Sequence, residues 1–533
     1  MTRRSLRHFA STAALGSEDD PQTPDEALTG LQANNWKASM ADEMASHKKC
    51  KTWELVPLPP GKNVIDNRWV FKTKRNADGS LQKYKSRLVA RGYTQRKGID
   101  YDETYAPVVR YDSIRCLLAN VAHHDLEMTQ FDVKTAFLYG ELEEELYMKQ
   151  PDQYDDGSGR VCRLIKGLYG LKQSPRRWNK KFDEFLQQYG LERSGCDPCI
   201  YVCRQTGEFI LLGLYVDDGL LCCESKATME DMIGEMKSRF EITITDPNFF
   251  IGLEIERDRD NKTIALHQRG YIVKILERFR MSECKPCVTP GDPHVILTKA
   301  DCAQDGGLQA NFPYREAVGC LMFLQSCTRP DIAYNVVTAA QFNERPGKSH
   351  IQALKRIMRY LQKTKDLRIM YGNNGLDLVV YSDSDYASCP DTRKCFAGRL
   401  AILNGGPVTW KSKKMESVTL STTEAEYMAV TEAVKDVLWL RQLLDDMVCG
   451  QTLPTVVYCD NQAAIHMTSS EEFHPRTKHI DVRHHFIKQE IERGNIMVKY
   501  VNTKEQAADM MTKSLNGPAL EVCRQTIQLV PSS

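Results

Sequence analysis

Two adjacent carboxylates, Asp217 and Asp218, interrupt one of the most apolar stretches of this 533-residue chain. The run Phe209-Ile-Leu-Leu-Gly-Leu-Tyr precedes them, and Gly219-Leu-Leu-Cys-Cys follows closely. Apolar residues on both sides of a short polar step predict a β-hairpin with the acids at its turn. Like charges at a partly buried turn repel each other, and a divalent cation relieves that repulsion. The alternative is a solvated Asp-Gly turn that binds nothing.

A third acid strengthens the metal interpretation. Asp132 lies in a segment, residues 128–139, that predicts an apolar strand followed by a turn. If this strand and the hairpin are neighbours in one sheet, the three carboxylates converge. Such a cluster can hold two Mg²⁺ ions about 4 Å apart, which activate a primer 3′-hydroxyl and stabilise leaving pyrophosphate. We expect Asp132 and Asp217 to bridge both ions, with Asp218 weaker or indirect, and Mn²⁺ is an acceptable substitute.

The segment from residue 68 to residue 91 is the most basic stretch of the chain, and it predicts two strands joined by an Asp-Gly turn. We expect its Lys85 and Arg87 to neutralise the triphosphate of a nucleotide. The alternative is a solvated charged hairpin without a specific ligand. Because the formal net charge of the chain is only +1, attraction to nucleic acid must come from local patches of this kind.

Three other side chains are candidates for contact with template or nucleotide. Phe137 follows Asp132 by five positions and is expected to press on C2′ of the nucleotide, although most single phenylalanines are core residues. Lys172 belongs to a predicted entry from a loop into a helix. Tyr215 is separated from the paired acids by one residue, Val216.

A second set of acids is spread over the C-terminal part, where predicted strands and helices alternate from about residue 377. This alternation indicates an α/β domain. Four acids from separate elements can bind two Mg²⁺ ions and activate water for phosphodiester hydrolysis. The four candidates are Asp383, Glu426, Asp460 and Asp509.

Two of these candidate metal ligands have another acid two residues away, so the sequence offers a choice at each position. Asp383 is preferred to Asp385 because it directly ends the predicted strand. Glu426 is preferred to Glu424 because Ser421 and Glu424 form the Ser-x-x-Glu pattern of a capping box, which gives Glu424 a structural role.

A His-rich stretch precedes the predicted helix at residues 483–493. It contains His474, His479, His484 and His485 but no cysteines at the spacing of a zinc site. We therefore expect it to lie on the substrate side of the second acid set, with His479 in proton transfer or product release. The segment 503–513 is predicted as a last helix, which carries Asp509.

Short motifs follow one another from about residue 36 to residue 515. In the first half they are Arg68-Trp-Val-Phe-Lys-Thr-Lys, Tyr84-Lys-Ser-Arg-Leu-Val-Ala-Arg-Gly-Tyr-Thr-Gln, Tyr105-Ala-Pro-Val, Phe131-Asp-Val-Lys-Thr-Ala-Phe-Leu-Tyr-Gly, Gly167-Leu-Tyr-Gly-Leu-Lys-Gln-Ser-Pro-Arg and Tyr215-Val-Asp-Asp. In the second half they are Tyr381-Ser-Asp-Ser-Asp-Tyr-Ala, Leu420-Ser-Thr-Thr-Glu-Ala-Glu-Tyr-Met-Ala, Tyr458-Cys-Asp-Asn-Gln-Ala-Ala and Ala508-Asp-Met-Met-Thr-Lys. Together they resemble the reverse transcriptase and ribonuclease H of copia-type LTR retrotransposons.

The resemblance implies an α+β polymerase right hand with fingers, palm and thumb, then a helix-rich connection and an α/β ribonuclease H-like domain with a mixed sheet. It also implies that Phe137 is a steric gate and that the basic hairpin belongs to the fingers. Implied partners are an RNA template, a DNA primer, the RNA–DNA hybrid and dNTPs, and a dimer or a link to integrase in a longer polyprotein. The predicted parts are a disordered lead-in (1–35), fingers and palm (36–284), a linker (285–311), a helix-rich thumb or connection (312–375), the ribonuclease H-like domain (376–516) and a C-terminal tail (517–533).

Composition narrows the setting in which the chain works. No apolar run approaches the roughly 18 residues that a membrane helix needs. The eighteen cysteines lack a disulfide framework and indicate reduced thiols in an intracellular protein, in a cytoplasmic particle or the nucleus. Two Cys-x-x-Cys pairs, at Cys196 and at Cys284, lie too far apart to favour a zinc site. The basic start resembles a transit peptide, but the acidic, Pro-containing residues 18–26 favour a disordered lead-in.

Signatures of capsid, protease and integrase regions are missing from the sequence, which predicts a processed product, a truncated copy or a gene with wrongly assigned limits. Two stretches depart from the family pattern, near Asp246 and at Cys395 and Phe396. Neither stretch includes a predicted metal ligand. A departure that weakens folding would inactivate the protein even with all its metal ligands present. Two alternatives therefore stay open: an inactive remnant that binds nucleic acid without catalysis, and a nuclease with an inactive polymerase half.

Overall fold

The computed structural model describes residues 20–75, 80–203, 209–302, 312–372, 374–469 and 481–532. The strands are β1 (Trp53–Val56), β2 (Val64–Ile65), β3 (Asn67–Arg75), β4 (Leu81–Ala90), β5 (Glu127–Val133), β6 (Glu141–Met148), β7 (Val161–Lys166), β8 (Glu192–Arg193), β9 (Ile200–Cys203), β10 (Ile210–Tyr215), β11 (Asp218–Cys223), β12 (Ile242–Thr245), β13 (Phe249–Phe250), β14 (Leu253–Asp258), β15 (Thr263–His267), β16 (Leu367–Tyr371), β17 (Val379–Asp385), β18 (Phe396–Leu403), β19 (Gly406–Lys414), β20 (Thr455–Cys459), β21 (Ile496–Tyr500) and β22 (Leu529–Pro531).

The helices in the described part are α1 (Pro24–Thr29), α2 (Ala33–Cys50), α3 (Tyr111–His124), α4 (Ser174–Tyr189), α5 (Lys226–Arg239), α6 (Arg269–Arg278), α7 (Tyr314–Cys327), α8 (Ala333–Ala340), α9 (Lys348–Lys363), α10 (Thr422–Asp446), α11 (Gln462–Ser469), α12 (Asp481–Glu492) and α13 (Gly517–Thr526). None of them is both long enough and apolar enough to cross a membrane. All eighteen cysteines are free thiols.

Strands β3 and β4 form a hairpin arm with two chemically different faces. Alternate residues of a strand point to opposite faces, so Trp69 and Phe71 share one face, which is buried. On this face Trp36 of α2 packs edge-on against Phe71 and Tyr84, with ring centroids 5.3 Å and 4.8 Å away. The opposite face therefore carries the cations of the arm. Beside it, a small sheet has the order β1-β7-β6-β2.

A six-stranded central sheet, ordered β12-β5-β11-β10-β9-β8, is covered on both faces. Successive residues of β11 alternate between the two cores. Leu220 and Cys222 pack into the core that includes α3. Leu221 and Cys223 pack into the core that includes α4 and α5. This double coverage explains why β10 and β11 are almost continuously apolar up to the turn that carries the acids.

The C-terminal part is an α/β domain, as the alternation of strands and helices predicted. Its five-stranded sheet, ordered β19-β18-β17-β20-β21, is mixed, as the family resemblance implied. Strands β17, β18 and β19 pair antiparallel, whereas β17, β20 and β21 pair parallel. The long helix α10 packs against this sheet and supplies much of its core. Because β17 and β20 are parallel neighbours, their carboxyl ends lie at the same edge.

Several predicted boundaries were wrong. The helix predicted from Trp36 to about Leu55 ends at Cys50, because Lys51 adopts a left-handed conformation (φ 52°) and the chain turns into β1. Part of the predicted lead-in is ordered, since α1 begins with Pro24, is capped by Thr23 and precedes α2. Residues 1–19, including the basic start, lie outside the described residues.

The predicted tail is also part of the folded structure. Strand β22 pairs antiparallel with β16, and this sheet continues through β15 and β14 to β13. The last helix is α13, whereas residues 503–513 form two short 3₁₀ turns, Thr503–Glu505 and Ala507–Met511, instead of the predicted helix. The tail therefore completes a sheet that begins in the polymerase-like half.

The described part of the predicted linker, residues 285–302, packs against α9. The amide of Cys287 donates to the carbonyl of Arg359 at 3.1 Å. Arg356 donates to Asp292 at 3.2 Å and to the Thr289 hydroxyl at 3.1 Å. These bonds hold the segment against the helix-rich part.

A buried arginine joins the central sheet to the C-terminal domain. Arg115 of α3 donates to the carbonyl of Val408 at 2.7 Å and to the carbonyls of Ser326 and Cys327 at 2.9 Å. Its guanidinium lies 3.9 Å from the ring centroid of Trp410. Since these partners come from α7 and β19, one side chain fixes three parts of the chain together.

Replacing this arginine is expected to destabilise the whole molecule. Arg115→Met leaves several buried carbonyls without a donor, which should cost on the order of 3 kcal/mol. Arg259→Met is the control, because the Arg259 side chain is 43% exposed and exposed ion pairs contribute less than about 1 kcal/mol. Urea unfolding midpoints measure the difference. Equal midpoints for the two variants would show that the Arg115 contacts do not hold the parts together.

Candidate active sites

The register of the central sheet brings the first acid set together. The antiparallel pairing of β5 with β11 places Asp132 directly opposite Asp218. Asp217 occupies the two-residue turn between β10 and β11, and its carbonyl accepts a hydrogen bond from the Val133 amide at 2.9 Å. All three acids are half-buried. The hairpin predicted from the sequence is thus present, with its acids beside the strand of Asp132.

The turn itself is strained. Val216 has φ 60°, which is the left-handed region that a β-branched residue rarely adopts. The indole Nε1 of Trp178 donates to the Val216 carbonyl at 2.6 Å and holds the turn. Strain at such a position persists only where surrounding packing imposes it, and it clusters at functional sites. Trp178, which the sequence did not single out, is therefore a supporting residue of this site.

The electrostatics of this site favour a cation. Burial and, to a smaller extent, the charges of Asp217 and Asp132 together raise the pKa of Asp218 to about 7. Burial and the charge of Asp132 also raise the pKa of Asp217. The Lys74 ammonium opposes the shift at Asp218. Carboxylate oxygens that repel one another in a low dielectric are suitable ligands for a hard divalent ion.

The cationic face of the arm faces these acids. Burial, with the neighbouring charges of Arg87 and Lys74, lowers the pKa of Lys85 to about 8, although the charge of Asp132 opposes this shift. Each strand of the hairpin contributes four residues to this cationic face, and the two sets pair with each other across the hairpin. The cations among them are Arg68, Lys72, Lys74, Lys83, Lys85 and Arg87.

An aromatic pair, Phe137 and Tyr169, packs beside the arm. The Arg87 guanidinium lies 4.6 Å from the ring centroid of Tyr169, and Phe137 packs edge-on against the same ring at 4.6 Å. The amide of Ala90 donates to the Tyr169 carbonyl at 2.8 Å. Gly170 has φ 93°, and a Cβ there would lie 2.0 Å from the Ala90 carbonyl oxygen, so only glycine permits this close approach.

Two predicted substrate residues make contacts within the protein. The Lys172 ammonium donates to the Tyr101 hydroxyl at 3.0 Å and to the Gln95 carbonyl at 3.4 Å, and it lies over the Tyr101 ring. These contacts fix the segment before α3, and a substrate role for Lys172 stays a prediction. Tyr215 is half-buried and pairs in register with Asp218 at the end of the hairpin.

The second acid set is tighter than the first. Ligand oxygens of Asp383, Asp460 and Asp509 all lie within 4.8 Å of one another. Asp460 also belongs to a group of the same span with Glu426 and Cys459. Among the described residues, the acids of the central sheet do not form such a group. The four acids predicted from the sequence therefore lie together at one edge of the C-terminal sheet.

Local structure explains each position. Asp383 lies two residues before the end of β17, and Asp460 directly follows the parallel strand β20. Glu426 lies in the first turns of α10 and accepts from the Ser384 amide at 3.1 Å. The side chain of Gln506 donates to the Ser382 carbonyl at 3.0 Å, which anchors the 3₁₀ turn that carries Asp509.

Burial dominates the electrostatics of the second site. Burial, together with the charge of Asp383, raises the pKa of Glu426 to about 9 and that of Asp509 to about 7. Burial raises the pKa of Asp383 as well. The Lys513 ammonium lies 2.9 Å from Oδ1 of Asp509 and counteracts these shifts. Lys513 was missed by sequence reasoning, although its position four residues after Asp509 was the available signal.

The choice between neighbouring acids has a structural answer. Glu424 accepts from the Leu420 amide and its own amide donates to Ser421, so it caps α10 as predicted. The reason given for Asp383 was wrong, because β17 continues to Asp385. Asp383 is distinguished instead by its membership of the acid group. The Thr512 hydroxyl, another residue that the sequence did not indicate, donates to Asp383.

The His-rich stretch yields less information. Residues 470–480, with His474 and His479, lie outside the described residues, so the role of His479 stays a prediction. His485 is exposed on α12. In the described part of the chain, neither Cys-x-x-Cys pair belongs to a metal-binding group.

The chain is similar in sequence to proteins of one family over most of its length. A model for the family "Reverse transcriptase (RNA-dependent DNA polymerase)" matches residues 50–293. The Retrovirus-related Pol polyprotein from transposon TNT 1-94 of Nicotiana tabacum is 41% identical over 98% of this chain and 40% of its own length. The corresponding polyprotein from transposon RE1 of Arabidopsis thaliana is 36% identical over 96% of this chain and 35% of its own length. The putative transposon Ty5-1 protein of Saccharomyces cerevisiae is 30% identical to this chain. The alignment includes 57% of this chain and 100% of the yeast protein.

The chain belongs to the copia-type retrotransposon reverse transcriptase family. It spans two fifths or less of the two plant polyproteins named above. A foamy viral protease–reverse transcriptase in complex with an RNA/DNA hybrid aligns with a TM-score of 0.44 at 12% identity, over 88% of this chain and 54% of that one. The family membership predicted from the motifs is thus confirmed.

The raised pKa values predict how pH and divalent metal affect stability. A carboxyl group whose folded pKa exceeds its unfolded value of about 4 stabilises the fold only while protonated. Without metal, stability should therefore fall as pH rises from about 4 through about 7 for Asp218 and Asp509, and through about 9 for Glu426. Mg²⁺ binds the ionised forms, so its stabilising effect should grow over the same range.

Thermal unfolding with EDTA or with Mg²⁺, at about pH 5 and about pH 9, tests this expectation. The difference in melting temperature between the two conditions should be larger at the higher pH. Asp218→Asn combined with Glu426→Gln should reduce that difference. An equal metal effect at both pH values would contradict the assignment of these carboxyls as ligands.

Proposed function

We propose that the N-terminal half is an RNA-directed DNA polymerase that extends a DNA primer on an RNA template with dNTPs. The observation that carries this proposal is the placement of Asp132, Asp217 and Asp218 beside one another, facing the cationic side of the arm. When bound, two Mg²⁺ ions would assist deprotonation of the primer 3′-hydroxyl and stabilise charge on pyrophosphate. The carboxylate donor set fits this metal, and Mn²⁺ is the expected substitute.

The nucleotide would bind between the acids and the arm. Lys85 and Arg87 would neutralise its triphosphate, and a bound phosphate would raise the lowered pKa of Lys85. Phe137, supported by the ring of Tyr169, would lie against the sugar and exclude a 2′-hydroxyl. The protein's contribution is positioning and preorganised charge rather than covalent chemistry.

We also propose that the C-terminal domain is a ribonuclease H that hydrolyses the RNA strand of an RNA–DNA hybrid. The group of Asp383, Asp460 and Asp509, with Glu426 beside it, supports this proposal. The positive charge of Lys513 would reduce the electrostatic repulsion among these acids before the hybrid binds. His479 stays a proposal for proton transfer or product release. Dimer formation, linkage to integrase, and a place in a cytoplasmic particle or the nucleus also stay predictions.

Variants in the two acid sets should separate the two activities. Asp217→Asn should lower primer extension on poly(rA) with oligo(dT) by roughly 100-fold or more, because it removes charge that acts in the transition state. It should leave cleavage of a labelled RNA–DNA hybrid intact. Asp460→Asn should abolish cleavage of the hybrid and leave primer extension intact. Asp260→Asn, in an exposed turn, is the matched control for both assays.

The outcomes distinguish the alternatives. Hybrid cleavage without any extension by the wild type would indicate a nuclease with an inactive polymerase half. Hybrid binding without either activity would indicate a non-catalytic remnant. Equal extension by the wild type and Asp217→Asn would contradict the proposed polymerase site.

Phe137 should determine the choice of sugar. Phe137→Val shortens the side chain, so ribonucleotides should enter more readily and discrimination against them should fall by about 10- to 200-fold. The ratio of kcat/KM for a dNTP and the matching rNTP measures this. Tyr139→Phe, on the same 3₁₀ turn, should keep the wild-type ratio. Unchanged discrimination in Phe137→Val would place the gate elsewhere.

A further inference from the structure

One buried thiol lies among the nuclease acids and has no part in the function proposed above. Cys459 is the last residue of β20 and is fully buried. Its Sγ lies 3.8 Å from Oε2 of Glu426. Ligand atoms of Glu426, Cys459 and Asp460 all lie within 4.8 Å of one another. The second active site therefore contains a sulfur ligand in addition to its oxygens.

A hydroxyl without a partner lies beside this thiol. The parallel register pairs Tyr381 with Tyr458, so Ser382 and Cys459 are the next pair and share one face of the sheet. This is the face on which Cys459 meets Glu426 of α10. Ser382 is fully buried, and its Oγ has no hydrogen-bond partner among the described residues. A buried polar atom of this kind indicates an unfilled interaction in the site.

We propose that Cys459, Glu426 and Asp460 bind Zn²⁺ at a site that overlaps the magnesium-dependent nuclease centre. Thiolate sulfur selects zinc and similar soft ions, whereas Mg²⁺ takes oxygen ligands. In a tetrahedral zinc site with Zn–S near 2.3 Å and Zn–O near 2.0 Å, a sulfur and an oxygen ligand lie about 3.5 Å apart. The observed 3.8 Å between Cys459 and Glu426 needs only a small adjustment.

Zinc at this site inhibits hybrid cleavage. It takes Glu426 and Asp460 into a tetrahedral arrangement with a sulfur, so these acids are no longer available to the catalytic ions. Cys459 binds as a thiolate, and its proton is released to the solvent. In the described part of the chain, only this metal-binding group contains a thiol, so the polymerase site is not inhibited in the same way. The effect on cleavage rests on the proposed nuclease function, whereas zinc binding does not.

Two measurements on the full chain test the proposal. Hybrid cleavage at fixed Mg²⁺ is titrated with Zn²⁺ for the wild type, Cys459→Ser and Cys459→Ala, each compared with its own zinc-free rate. Cys162→Ser is the matched control, because Cys162 is equally buried but lies in β7. The absorption of added Co²⁺ is recorded for the same proteins, since a cobalt–thiolate bond gives a charge-transfer band. Primer extension reports that each variant is folded.

Removing the thiol should raise the zinc concentration for half-inhibition by roughly tenfold or more, and Cys162→Ser should resemble the wild type. The cobalt–thiolate band should be reduced only in the Cys459 variants. Equal zinc sensitivity and equal cobalt spectra for all four proteins would overturn the proposal. If the wild type cleaves no hybrid with Mg²⁺, the nuclease function fails, and the cobalt spectra alone decide whether Cys459 is a ligand.

Discussion

The antiparallel pairing of β5 with β11 is the constraint on which the proposed polymerase site depends, because it places Asp132 opposite Asp218. A slip of one residue would move one carboxylate to the other face of the sheet. Gly219 protects the register, since a Cβ at this position would lie 2.2 Å from the ring of Phe131. The core thus holds charges together that would separate in water, and this stored repulsion is what a divalent cation relieves.

The second site applies the same principle with different elements. Parallel strands bring Asp383 and Asp460 to one edge, and a helix and a 3₁₀ turn add Glu426 and Asp509. Both sites are held in one framework, because Arg115 connects the helix under the central sheet to β19. The two acid sets are therefore held at a fixed separation.

Local patterns in the sequence predicted much of this structure. The apolar hairpin and the capping role of Glu424 both depend on residues close together in the chain. The mixed C-terminal sheet pairs β17 with the distant β20 and was implied by the family resemblance. Other features that depend on distant partners were missed or wrong. Strand β22 is defined only by its pairing with β16, and the end of α2 is set by a single left-handed residue, Lys51. Lys513 and Cys459 acquire their significance only where the fold places them beside the acids.

The central claim is that each acid set binds divalent cations in its own place. Anomalous diffraction from crystals of the full chain with an RNA–DNA hybrid, a dNTP and Mn²⁺ measures this most directly. The account predicts Mn²⁺ between Asp132 and Asp217, and a second group of ions among Asp383, Glu426, Asp460 and Asp509. Clear density for the hybrid and the nucleotide with no anomalous signal at Asp132 and Asp217 would contradict it.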